Sequence, residues 1–129
     1  MLLLVAAAGC GASSTLTEDG LRKHAETVQS AAAEGALLAG DVARDRTTEP
    51  FARIHSGELA DQATSAANSL AVATAPPGLD PDRRRAVATA TRVSDALEQL
   101  HDRPTDERLA RRVQRQLERD AETAGELAG

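Results

Sequence analysis

The chain carries one aromatic residue, Phe51, in 129. Burial of apolar surface, at about 25 cal/mol per Å², drives folding, and aromatic rings are its largest single contributors. Here the burial must come from Ala, Leu and Val. Each Ala removes little area from water, so such a core is thin. It works only where elements approach closely, and it tolerates few cavities. Modest stability is expected.

The spacing of the apolar residues names the element type. Leu21, Ala25, Val28, Ala32, Gly35, Leu38 and Val42 recur at intervals of three or four, the stripe of an amphipathic helix. Thr15 and Glu18 are spaced as a capping box, with Thr15 as N-cap. Gly35 and Gly40 weaken this helix, and Gly40 is expected to fray its end. A second start is read at Thr47-Thr48-Glu49-Pro50, where a proline costs nothing in the first turn. Its stripe is Phe51, His55, Leu59, Ala63, Ala66, Leu70 and Ala73.

Ala75-Pro76-Pro77-Gly78 breaks the helical pattern. Asp80 as N-cap with Pro81 behind it restarts it, and Ala86, Ala90, Val93, Leu97 and Leu100 follow. After His101-Asp102-Arg103-Pro104 a fourth segment opens at Thr105-Asp106-Glu107. Its line is Leu109, Val113, Leu117, Asp120 and Ala124. Asp120 in an apolar register predicts that this last helix frays. No segment alternates with period two. The expected fold is all-α, an up-and-down four-helix bundle of two helical hairpins over residues 16–129.

Formal net charge is −5, unevenly spread. Residues 10–80 hold ten acids and five bases, and residues 81–129 hold ten of each. Neither part is basic enough to suggest nucleic acid as a partner. No run of about 20 apolar residues exists, so no membrane-spanning helix is expected.

The single cysteine, Cys10, excludes an internal disulfide and follows nine uncharged residues. Leu2-Leu3-Leu4-Val5 is apolar, and Ala6-Ala7-Ala8-Gly9 is small, as a signal peptidase's narrow subsites require. This stretch resembles the lipobox of bacterial lipoproteins, an apolar residue and two small residues before a cysteine. The resemblance covers residues 2–10 only. It implies a signal peptide over 1–9, recognised at Ala7, Ala8 and Gly9, and a diacylglycerol on the Cys10 thiol, with cleavage just before Cys10. Ala7 stands where Leu is usual, and no Lys or Arg precedes the apolar run. A translation start upstream of Met1 is the matching expectation. Residues 10–15 read as lipidated Cys and flexible tether, since Gly11-Ala12-Ser13-Ser14-Thr15 is small and polar.

Other candidate chemistry is sparse. Glu98-Gln99-Leu100-His101 is the one Glu-x-x-His, whereas di-iron bundles use two with further Glu on the other helices. His101 is read instead as a favourable charge at a helix C-terminus. His24 and His55 are expected half-buried at opposite ends of antiparallel helices. Arg108, Arg111 or Arg112, Arg115 and Arg119 line one helix face, and Arg83-Arg84-Arg85 opens another helix. Such stripes are ordinarily solvated faces with local ion pairs such as Glu107 with Arg111, though they also suit anionic headgroups or an acidic partner. No phosphate loop, nucleophile signature or Cys/His cluster is present in the sequence.

The sequence therefore predicts no enzyme and no cofactor. It predicts a lipoprotein anchored through Cys10 to the outer face of the cytoplasmic membrane, with a structural or protein-interaction role in the envelope. The rivals are a bundle holding a ligand or metal in its core, and a cytoplasmic helical protein with a chance N-terminus.

Overall fold

The computed structural model describes residues 15–129. The readings on the 1–9 signal peptide, on Ala7, Ala8 and Gly9, and on Cys10 lie outside the described residues. Four helices follow in order: α1 (Glu18–Ala43), α2 (Glu49–Val72), α3 (Asp80–Asp102) and α4 (Glu107–Ala128). Each runs antiparallel to the next, as an up-and-down bundle requires. The start of α1, the end of α2, the start of α3 and the end of α4 share one apolar cluster, built on Leu16, Leu21, Leu70 and Ala86 with Leu79 and Leu127 beside it. The most extensive packing is of α1 on α4 and of α2 on α3. Of the two diagonals, α1 and α3 meet while α2 and α4 do not.

Alanine makes this closeness possible. Ala31, Ala32, Ala39, Ala52, Ala63, Ala90 and Ala110 are all fully buried, and Leu59, Leu97, Leu100 and Leu117 interleave with them. Gly35 lies where three helices converge. A Cβ there would stand 2.7 Å from Leu97 Cδ2 on α3 and 2.9 Å from Leu117 Cδ1 on α4. Gly40 likewise faces the Gln114 amide of α4. The two glycines predicted to weaken α1 are places of close approach, and α1 continues unfrayed through both.

The helix ends differ in detail from the sequence expectation. Thr17, not Thr15, is the N-cap of α1, its hydroxyl accepting from Gly20 N at 3.0 Å. The displaced residues are drawn off: Leu16 N donates to Thr74 O at 2.7 Å, and Thr15 bridges Thr74 in parallel. Leu16 then sits one residue before the cap and shares a cluster with Leu21 in the first turn, the arrangement of a hydrophobic staple. Leu79, not Asp80, precedes α3. Leu79 N and Asp80 N both bond to Pro76 O, so the turn winds into the helix one residue early. Thr48 and Asp106 cap α2 and α4 through their side chains.

Two stripes differ from the sequence expectation. Phe51 is 56% exposed and stacks on half-buried His55, with ring centroids 5.4 Å apart. Ala52 and Ser56 take the core positions instead, because a seam set by alanine has no room for a ring. Asp120 is only 2% exposed, yet α4 does not fray and runs on to Ala128. Its carboxylate accepts from Arg92 Nε at 3.1 Å and from Gln116 Nε2 at 3.0 Å. Arg92 also donates to the buried Thr89 hydroxyl at 3.1 Å. Among the described residues no buried side-chain polar atom lacks a partner.

Candidate functional site

The three histidines stand apart. His24 on α1 and His55 on α2 are half-buried near the starts of antiparallel helices, as expected from the sequence. His55 has Glu34 at 4.0 Å and Glu58 at 3.8 Å. His101, at the end of α3, has its Nδ1 2.7 Å from Arg53 O on α2. A carbonyl only accepts, so Nδ1 carries the proton and donates. Gly57 leaves space for the ring, since a Cβ there would stand 3.2 Å from Nδ1. His101 thus fastens α2 to α3, a role the Glu-x-x-His spacing does not reveal. Among the described residues no group of three or more His, Cys, Asp or Glu is placed to hold a metal ion.

The arginines divide into two sets. The first is neutralised locally. Arg83 and Arg84 both reach back to Asp80, at 2.8 and 2.6 Å. Their guanidiniums hold the Asp80 carboxyl below its ordinary pKa through these hydrogen bonds, against a smaller opposing effect of burial. Arg83 also donates to Leu70 O at 3.3 Å, tying α3 to the end of α2. Arg85 pairs with Glu126 across α3 and α4 at 2.7 Å.

The second set lines the groove between α3 and α4. Arg112, Arg115 and Arg119 border a hollow of about 340 Å³ whose floor is Ala96 of α3 and Val113 of α4. Gln99 and Gln116 stand on its walls. A second hollow of about 330 Å³, sharing Gln99 and Arg112, continues toward Arg103, Asp102 and buried Leu109. Arg108 and Arg111 are exposed and outside these hollows. The local pairs expected along α4, Glu107 with Arg111 among them, are not among the ion pairs closing within 4.0 Å.

This groove follows from helix geometry. Positions 112, 115 and 119 fall on one side of α4, and Val113 and Leu117 are buried on its core side, with Val113 meeting the hollow beside Ala96 of α3. The Arg stripe was legible in the sequence. The apolar floor was not, because it joins residues of two helices. Among the described residues no helix is long and apolar enough to cross a membrane. No protein-family model, no curated protein and no solved structure matches the chain.

Proposed function

We propose that this chain is a bacterial lipoprotein, acylated on Cys10, whose helical bundle presents a surface to another protein of the cell envelope. The observation that carries the reading is the sequence Leu2–Cys10, with Ala7, Ala8 and Gly9 ahead of the only cysteine. Two features of the bundle support it. The described fold begins at once after the proposed tether, with Leu16 hydrogen-bonded to Thr74 and buried among Leu21, Leu70 and Ala86. Thr15 lies five positions after Cys10, a reach of at most about 18 Å. An anchor there would hold this end of the bundle toward the bilayer. Two acyl chains make such attachment lasting where one does not. The core positions are occupied by Ala and Leu, and the hollows lie at the surface between helices, which suits an interaction module.

The test is metabolic labelling with a clickable fatty acid, wild type against Cys10→Ala. The expected result is label and membrane flotation in the wild type and neither in the variant. An unlabelled wild type recovered in the cytosol overturns the anchor and the envelope location together.

A further inference from the structure

We infer that the α3–α4 groove is a docking site for an acidic amphipathic segment of a partner protein, its carboxylates received by Arg103, Arg112, Arg115 and Arg119. The inference names the partner chemistry of the interaction role proposed above, and the groove's chemistry is independent of whether Cys10 is acylated.

Charge is the first ground. The whole chain carries −5, yet the two joined hollows present four guanidiniums and one carboxylate, Asp102. The remaining arginines of α3 are committed, Arg83 and Arg84 to Asp80, Arg85 to Glu126 and Arg92 to Asp120. The four in the groove have no carboxylate within 4.0 Å among the described residues. Arg119 donates only to the neutral Gln116 amide, at 2.9 Å. A planar guanidinium with free donors matches a carboxylate two bonds at a time.

Shape is the second ground. Arg112 to Arg119 spans seven residues, about 10 Å of helix, so the charges form a line rather than a point. Beneath that line lie Ala96, Val113 and Leu109, each no more than 5% exposed, so the apolar floor is narrow and the basic rim dominates. An amphipathic segment fits both parts, its apolar side on the floor and its acids on the rim, as in helix-in-groove recognition. Nucleic acid fits poorly, because the groove has no aromatic ring on which a base could stack. With the Leu16 end anchored through Cys10 as proposed and the helices standing off the bilayer, headgroups also fit poorly. Arg119 and Arg112 lie ten and seventeen residues before Gly129 at the Leu16 end, about 15 and 25 Å along the helix. Both distances exceed the screening length of about 8 Å at physiological salt.

The experiment measures fluorescence anisotropy of a labelled Glu-Glu-Leu-Glu-Glu-Leu-Glu-Glu peptide with the full chain, as wild type and as Cys10→Ala. Binding in both is expected, weakening as salt is raised. Arg112→Gln/Arg115→Gln/Arg119→Gln should weaken it at least tenfold. The triple change Arg22→Gln/Arg44→Gln/Arg53→Gln, equal in charge but on α1, α2 and their link, should change it less than threefold. Circular dichroism confirms that both variants fold. Equal weakening by the two triples overturns the proposal, since it would mean long-range charge rather than a groove. So does absence of peptide binding while Cys10→Ala binds phosphatidylglycerol vesicles through these arginines, which would assign the groove to lipid. Failure of acylation alone leaves the peptide result standing.

Discussion

At the residue scale, Asp120 shows how one polar side chain survives in a seam of alanine and leucine. Its two oxygens are taken by Arg92 and Gln116, and Arg92 keeps its side chain 48% exposed while reaching inward. Removing one partner of such a pair leaves a buried charge uncompensated, whereas replacing the charge by an apolar isostere does not. Arg92→Leu is therefore expected to cost about 1–3 kcal/mol. Asp120→Leu should be near neutral or stabilising. Urea unfolding of the two variants decides: equal tolerance of both would show that Arg92 does not hold the carboxylate. The sequence put Asp120 on the core line correctly. It missed the consequence, because Arg92 lies 28 residues away and only packing of α3 on α4 brings it within reach.

At the element scale, the four helices were legible because period and punctuation agree. The stripes gave the helical spans, Thr48 and Asp106 gave the starts of α2 and α4 to within a residue, and the Pro-Pro-Gly break fell in the link between Val72 and Asp80. The misplaced caps share one cause. Thr15 and Asp80 are good capping residues by type, but tertiary and turn contacts claimed their neighbourhoods first, through Thr74 O and Pro76 O. The end of α1 shows another local device. Arg46 N bonds to Asp41 O and Asp45 N to Val42 O, with Asp45 at φ 52°, a Schellman closure with Asp in the usual glycine place.

Asp80, freed from capping, binds Arg83 and Arg84 in the first turn of α3. Its lowered pKa gives the sign of a pH effect. Stability from this group is fully present above the ordinary carboxylate value of about 3.9 and is lost as pH falls through the lowered folded value. Asp80→Asn should therefore destabilise at pH 7, and the gap to wild type should close progressively below about pH 4. Urea midpoints at a series of pH values test this; a gap independent of pH would mean the carboxylate's charge is not what matters.

At the scale of the whole molecule, stability depends on how closely α1, α3 and α4 meet at Gly35. Gly35→Ala gains helix propensity of about 1 kcal/mol. It also drives a methyl to within 3 Å of Leu97 and Leu117, and overpacking typically costs about 1–3 kcal/mol. The steric cost should win, because both neighbours are fully buried leucines with nowhere to move. A lowered thermal midpoint is expected; a raised one would show that the helices can separate at no cost.

The sequence alone determined that the chain is all-α, where its helices run, and that its one cysteine follows a lipobox-like stretch. Those are local properties, set by intervals of three and four residues and by neighbouring side chains. Tertiary structure decided the rest: which diagonal closes, that Phe51 is outside and Asp120 inside, and that His101 holds Arg53. It also decided that one arginine stripe is neutralised while another borders an apolar floor. Each of these depends on residues far apart in the chain, brought together only when alanine and glycine let the helices approach.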